Sequence, residues 1–120
     1  MKRIKVPAVL AIDLGGTKIR VAIISDKLQV LARDSDDTLA DEGPRAVVGR
    51  IFSVMDRILG KNNVTPSQLS GISVAAAGAI DIKPGLVTLS PNLPGWHNVA
   101  LRDMVAERYR IPTFLIHDAN

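Results

Sequence analysis

The chain has 120 residues, of which 47% are hydrophobic and 22% are charged, a balance typical of one globular domain with a core. Only 3% are aromatic, so the core is expected to consist of aliphatic side chains. The formal net charge is +3, but the basic residues form no dense stripe along the sequence, which argues against nucleic-acid binding. The absence of cysteine excludes disulfides and cysteine-ligated metal within this stretch and fits the cytosol best.

An apolar run near the start of the chain, residues 6–12, raises the question of a membrane segment. It is too short to span a bilayer and is interrupted by Asp13. It also lacks a small-residue cleavage pattern, so neither a membrane anchor nor a signal peptide is predicted. We therefore expect a cytoplasmic protein.

The first third of the chain predicts three strands joined by short turns. Residues 6–13 are almost continuously apolar, which is typical of a central strand buried on both faces. Residues 18–25 and 29–33 resume as strands after a Gly-Gly turn and a turn at positions 26–27. Connections this short link only antiparallel neighbours.

The rest of the chain alternates helices and strands. Apolar residues at helical spacing predict a helix over 44–59, with Pro44 in its first turn and Gly60 at its end. The later elements are a strand at 71–77, a hairpin over 80–89, an irregular loop at 91–96, a helix over 101–109 capped by Asn98, and a strand at 113–116.

This order predicts an α/β fold with a five-stranded mixed sheet, in which three antiparallel strands are followed by parallel ones, plus helices. This order resembles the ribonuclease-H-like pattern shared by the sugar kinase, actin and Hsp70 superfamily. Such a domain normally adds a helix after the fifth strand, with Asp118 or Asn120 as its N-cap, whereas this chain stops there. A sheet face left uncovered would expose apolar surface and predicts self-association, and hence a homo-oligomer.

The turn after the first strand, Asp-Leu-Gly-Gly-Thr-Lys at 13–18, has the composition of a phosphate-binding loop. Glycines let backbone N–H groups approach phosphate oxygens, a threonine hydroxyl adds a donor, and an aspartate can hold Mg²⁺, often through water. The spacing fits neither a Walker loop nor a dinucleotide-binding turn. The alternative is a plain Gly-Gly hairpin whose polar residues stabilise the turn.

Three further blocks accompany this turn: Ala-Ala-Gly-Ala-Ile-Asp at 76–81 with Gly-Leu-Val at 85–87, Ser-Pro-Asn-Leu-Pro-Gly-Trp at 90–96, and Asp-Ala-Asn at 118–120. Together with residues 11–18 they resemble the sugar-kinase branch of the ROK family (repressor, open reading frame, kinase), glucokinases among them. The resemblance spans essentially the whole chain. It implies that residues 1–120 form the N-terminal phosphate- and sugar-binding domain of a two-domain kinase whose second domain is absent from this chain.

The resemblance implies ATP-dependent phosphorylation of a hexose or N-acetylhexosamine, with ATP and Mg²⁺ as cofactors. Asp118 would be catalytic, as the general base that takes a proton from the sugar hydroxyl. Asp13 would also hold Mg²⁺ through water, and zinc is expected only in the second domain. The implied ATP phosphate-binding residues are Asp13, Gly15, Gly16, Thr17 and Lys18, and the implied sugar-binding residues are Gly78, Asn92, His117 and Asp118.

Most of these residues also have a purely structural interpretation. Trp96 is expected to anchor its loop by packing rather than stack on a sugar, and His97 is expected to be solvated. The structural alternatives are a helix N-cap for Asp118, a strand-ending glycine for Gly78, an ordinary turn residue for Asn92 and a solvated strand-edge lysine for Lys18.

His117 departs from the family pattern. Glucose-phosphorylating members typically carry Asn before the catalytic aspartate, where the amide contacts sugar hydroxyls. Imidazole is larger and has fewer hydrogen-bonding groups, which puts glucose itself in doubt. The alternative is that His117 reaches the same hydroxyls.

Two other functions remain open: a non-catalytic, sugar-binding regulatory ROK protein, and an inactive isolated domain. Regulatory members carry a helix-turn-helix domain ahead of this one, and a first strand beginning at about Val6 leaves no room for it, which favours the kinase. Catalysis requires two domains to close around sugar and ATP. The 120 residues alone are therefore expected to be inactive.

Overall fold

The computed structural model describes residues 7–117, and the structural statements below concern that range. Its elements in chain order are β1 (Ala8–Leu14), β2 (Lys18–Ser25), β3 (Val30–Asp37), α1 (Pro44–Lys61), β4 (Leu69–Ala76), β5 (Ala79–Asp81), β6 (Leu86–Leu89), β7 (His97–Val99), α2 (Leu101–Tyr109) and β8 (Thr113–His117). Short 3₁₀ turns precede α1 and β4, at Ala40–Glu42 and Pro66–Gln68.

A five-stranded sheet forms the centre of the molecule, with the strand order β3-β2-β1-β4-β8. Both pairings among the first three strands are antiparallel, whereas β4 is parallel to β1 and to β8. The predicted α/β fold with a mixed sheet is therefore confirmed. Strand β3 continues to Asp37, four residues beyond the prediction, because pairing with β2 holds a polar stretch that has no apolar alternation of its own.

Both helices pack on the same face of this sheet. Helix α1 begins at Pro44, as predicted, and its apolar stripe is buried against the strands. Helix α2 lies beside α1, with the rings of Phe52 and Tyr109 in an edge-to-face contact at 6.1 Å. The stripe of α1 consists of Val47, Val48, Ile51, Val54, Met55, Ile58 and Leu59.

A second sheet with the order β5-β6-β7 was only partly predicted, since the sequence indicates its first hairpin and not β7. Strand β7 exists because His97 and Val99 pair with β6. Asn98 between them has φ 51°, and α2 begins at Leu101 after Ala100, without a side-chain cap. The prediction that Asn98 caps α2 is therefore wrong, because pairing with β6 places it in the strand.

The two faces of β1 differ. Leu10, Ile12 and Leu14 point toward the helices and are buried, whereas Val9, Ala11 and Asp13 lie on the opposite, partly exposed face. We call this opposite side of the five-stranded sheet the open face. The expectation that β1 is buried on both faces is thus wrong for the part of the chain described, since no element within residues 7–117 covers the open face.

Neither helix within residues 7–117 is long and apolar enough to cross a bilayer.

Candidate functional site

The parallel strands β1, β4 and β8 end in one row. Leu14 pairs with Ala76, and Ala76 pairs with His117. Because neighbouring strands lie about 4.8 Å apart, these three residues lie side by side at one edge of the sheet. Ligands of α/β sheets typically bind outside the carboxyl ends of the strands. Asp118, the predicted catalytic residue, follows His117 and lies outside the described residues.

The glycine turn joins β1 to β2 at this edge. Gly15 N–H donates a hydrogen bond to the Lys18 carbonyl at 3.0 Å, which closes the turn. Thr38 holds it from behind: its Oγ1 donates to the Gly15 carbonyl at 2.8 Å, and its N–H donates to the Thr17 carbonyl at 2.9 Å. Sequence reasoning missed Thr38, because a single threonine after a polar strand carries no recognisable signal.

The loop at residues 90–96, predicted to bind sugar, is a compact double turn. Leu93 N–H donates to the Ser90 carbonyl at 3.1 Å, and Trp96 N–H donates to the Leu93 carbonyl at 3.2 Å. The side chains of Leu93 and Trp96 are each 1% exposed. The prediction that Trp96 anchors the loop by packing is therefore confirmed, and His97 is exposed, as predicted.

The phosphate turn and this loop touch each other. A Cβ added to Gly16 would lie 2.6 Å from the Asn92 Cβ and 3.0 Å from the Asn92 carbonyl oxygen, so a side chain does not fit there without displacing the loop. Gly16 thus lets the two segments approach closely. Two residues predicted separately, for phosphate and for sugar, lie next to each other.

Gly78 lies just beyond the end of β4 with φ +99°, a conformation that L side chains rarely adopt. A Cβ at this position would lie 2.7 Å from the Leu89 carbonyl oxygen and 2.8 Å from the Ser90 Cα. Backbone packing alone therefore requires glycine here, and contact of Gly78 with a sugar stays a prediction. Ser90 is 4% exposed, and its Oγ forms no hydrogen bond within residues 7–117.

Asp13 lies on the open face, two residues before the glycine turn, and pairs across the strands with Arg20. A cavity of about 830 Å³ lies beside Asp13 on this face. Its lining includes Asp13, Ser73, Ile116 and His117. The described part of the chain has no cluster of three or more potential metal ligands. A Mg²⁺ ion held through one carboxylate, water and phosphate oxygens needs no such cluster, and Asp13 fits that type of site.

The Lys18 side chain forms an ion pair with Asp37 on the neighbouring strand β3. Its Nζ lies 2.6 Å from Asp37 Oδ1, and both side chains are about half exposed. This hydrogen bond holds the pKa of the Asp37 carboxyl below its usual range. A phosphate that used Lys18 would compete with Asp37 for the ammonium group.

The fold and this edge define an α/β domain of the actin/Hsp70-like class, whose glycine turn and proline-rich loop meet beside the carboxyl ends of the parallel strands. A family model described as "ROK family" matches residues 9–120. The chain belongs to the ROK family.

Relatives of two kinds are found. A glucokinase from Thermotoga maritima is 37% identical over 111 residues, which is 92% of this chain and 33% of that protein. A xylose repressor from Caldicellulosiruptor bescii is 27% identical over 115 residues, covering 96% of this chain and 29% of that protein. The chain thus spans about a third of the length of the curated relatives it matches.

The solved structures agree with this fold. A ROK hexokinase from Thermus thermophilus superimposes with a TM-score of 0.81 and 28% identity, covering 94% of this chain and 36% of that one. A ROK family glucokinase from Streptomyces griseus, in complex with glucose and AMPPNP, gives a TM-score of 0.79 at 25% identity, covering 94% of this chain and 34% of that one.

Proposed function

We propose that this chain is the phosphate- and sugar-binding part of an ATP-dependent sugar kinase that phosphorylates a hexose or an N-acetylhexosamine. The observation that carries the proposal is the contact between Gly16 and Asn92, which sets a turn suited to phosphate against a loop suited to sugar hydroxyls. Phosphoryl transfer depends mainly on placing donor and acceptor together and on neutralising charge. At this edge of the sheet, the turn and the loop would hold the phosphate donor and the sugar acceptor next to each other.

In this proposal each residue has one task. The amides of the turn Gly15–Thr17 bind phosphate oxygens, and Asp13 orients the water ligands of Mg²⁺, which supplies positive charge to the phosphates when bound. Asn92 and His117 hydrogen-bond the sugar. Asp118 takes the proton from the attacking hydroxyl. His117 itself ends β8 in the row of strand ends.

The experiment that tests the proposal is an ADP-release assay on the full-length polypeptide with a panel of hexoses and N-acetylhexosamines. Asp118→Asn keeps the size of the side chain and removes the base, so kcat should fall by about 10²- to 10⁴-fold with a smaller change in KM. Full activity in Asp118→Asn would refute the general-base assignment. Turnover by residues 1–120 alone would show that a second domain is not required.

The sugar preference is tested separately at His117. We infer that its imidazole contributes to sugar selection at the strand end. His117→Asn should shift the ratio of kcat/KM values between glucose and N-acetylhexosamines toward glucose, because the amide is smaller than imidazole and has two N–H donors besides its acceptor oxygen. Identical ratios in the two proteins would mean that His117 has no selective role.

A regulatory sugar-binding protein is the second candidate, favoured by the similarity to a xylose repressor. The two functions share a sugar site and differ in catalysis. A full-length protein that binds a sugar, releases no ADP and binds operator DNA would support the regulator instead.

A further inference from the structure

Thr38 occupies an unusual position beside the glycine turn. It follows β3 directly, in a connecting segment, yet its side chain is 0% exposed, whereas threonine in such segments usually faces water. Within residues 7–117 only Thr38 and Ser90 are buried polar side chains, and both lie next to the candidate site. The burial of the Thr38 side chain must therefore have a structural reason.

The hydrogen bonds of Thr38 give that reason. Through its hydroxyl and its own N–H it holds the carbonyls of Gly15 and Thr17, one on either side of the Gly16–Thr17 peptide, at 2.8 and 2.9 Å. In a trans peptide the C=O group and the next N–H point in opposite directions. Because the Gly15 carbonyl is held toward Thr38, the Gly16 N–H is directed away from it. This N–H makes no hydrogen bond to another described residue.

The turn needs this external support because it contains two glycines. Gly15 and Gly16 lack a Cβ, so their shared peptide plane can rotate at little energetic cost. The same property that lets a phosphate approach closely leaves the direction of the Gly16 N–H undefined by the turn itself. Thr38 supplies the missing constraint.

Thr38 is in turn fixed to the body of the domain. Arg50 of α1 donates from Nη1 to the Thr38 carbonyl at 2.8 Å and also forms an ion pair with Glu42. The Arg50 side chain is only 21% exposed. The contacts run from the helix through Arg50 and Thr38 to the turn, so the orientation of the turn is tied to the position of α1.

We propose that Thr38 is a positioning residue for anion binding: it orients the Gly16 N–H toward a phosphate oxygen, and Arg50 keeps Thr38 in place. The inference rests on the proposed function, because it takes a phosphate group to be the ligand of this turn. Thr38 itself does not touch the phosphate.

The test is a titration of the isotope-labelled 120-residue chain with inorganic tripolyphosphate and Mg²⁺, followed by NMR of the backbone amides. In the unaltered chain the Gly16 amide resonance should shift and saturate. Thr38→Val removes the hydroxyl and keeps the shape, so the affinity should fall about tenfold and the Gly16 shift should disappear. Thr38→Ser restores the hydroxyl and should restore both.

Two further variants separate positioning from loss of stability. Thr113→Val removes a comparable bond, from Thr113 Oγ1 to the Ile111 carbonyl at 2.9 Å, at the opposite end of the sheet, and should leave the affinity unchanged. Arg50→Gln keeps the Thr38 hydroxyl and removes the contact behind it, so it should weaken binding by about threefold. If Thr38→Val does not fold, Arg50→Gln still tests the positioning role of Thr38.

The outcomes are distinguishable. Equal affinity and equal Gly16 shifts in Thr38→Val and the unaltered chain would overturn the positioning role and leave the phosphate-binding turn intact. A loss in Thr113→Val as large as in Thr38→Val would also overturn it, since stability would then explain both. No tripolyphosphate binding by the unaltered chain would refute the phosphate site and this inference together.

Discussion

The two faces of the five-stranded sheet are built from different residues. The face under the helices carries large aliphatic side chains that are almost completely buried, such as Leu10, Ile23 and Ile72. The open face carries small residues at the centre of β1 and β4, such as Ala11, Ser73 and Ala75, and two exposed apolar side chains on β8, Phe114 and Ile116. Sheets with parallel strands are normally covered on both faces. One face therefore stabilises the fold, whereas the other leaves apolar surface exposed within residues 7–117.

The largest expected effect contrasts one residue from each face. Leu10→Ala leaves a cavity under the helices and should lower the free energy of unfolding by about 3 kcal/mol. Phe114→Ala removes a ring that is 62% exposed and should cost less than about 1 kcal/mol. Denaturant unfolding of both variants at low protein concentration measures the difference. Equal losses would show that the open face is already covered in solution.

The second prediction concerns what the open face does at high concentration. We expect residues 1–120 to self-associate, because Phe114 and Ile116 expose apolar surface on the open face. The double substitution Phe114→Ser with Ile116→Ser should weaken association about tenfold or more, measured by analytical ultracentrifugation.

A matched control for this prediction lies elsewhere on the surface. Leu28→Ser alters another exposed apolar residue, in the β2–β3 turn away from the cavity, and should leave association unchanged. An unaltered chain that stays monomeric at high concentration would contradict the idea that the open face associates.

The third prediction tests how the helices are held together above the covered face. The Tyr109 hydroxyl donates to Asp56 Oδ1 at 2.6 Å, and Arg108 donates to Asp56 Oδ2 at 2.6 Å, linking α2 to α1. Burial and the bond to Asp56 raise the pKa of Tyr109, so its hydroxyl keeps its proton at a pH where a free tyrosine ionises. Tyr109→Phe keeps the ring contact with Phe52 and should cost about 1–2 kcal/mol in denaturant unfolding.

A smaller cost for Tyr109→Phe would mean that ring packing alone joins the helices. Phe52→Leu is the complementary change, since it keeps the hydroxyl bond and removes the edge-to-face contact. The pair of variants divides the stabilisation between the two interactions.

The smallest expected effect lies at the edge of the covered face. Arg57 of α1 donates to both carboxylate oxygens of Asp34, at 2.7 and 2.9 Å. These bonds hold the pKa of Asp34 below its usual value of 3.8, so the stabilisation is complete above that value and is lost as the pH falls through the lowered pKa of the folded state. Arg57→Gln should lower the melting temperature by a few degrees at pH 7.

The pH dependence makes this prediction specific. The difference between Arg57→Gln and the unaltered chain should disappear in strong acid, where Asp34 is protonated in both. Arg45→Gln alters another arginine of α1, which has no ion-pair partner within residues 7–117, and should leave the melting temperature unchanged. A difference for Arg57→Gln that persists in acid would point to packing of its side chain rather than to the ion pair.

Local pattern accounts for the parts of the fold that sequence predicts well. The apolar stripe from Val47 to Leu59 is intrinsic to helix α1, and the short turns between the first strands leave no alternative to antiparallel pairing. The misses fall where structure comes from a neighbour. The last residues of β3 and the strand at Asn98 are held by pairing with β2 and β6, so their own sequences carry no strand signal.

The candidate site divides in the same way. The sequence by itself determined the glycine turn, the proline-rich loop and the ends of the parallel strands to within one residue, because turn chemistry and apolar runs act over a few residues. Only the tertiary structure decided that Gly16 meets Asn92 and that Thr38, 23 positions along the chain, holds the Gly15 carbonyl. It also decided which face of β1 stays open. Such contacts depend on the geometry of the whole sheet, which no local pattern encodes.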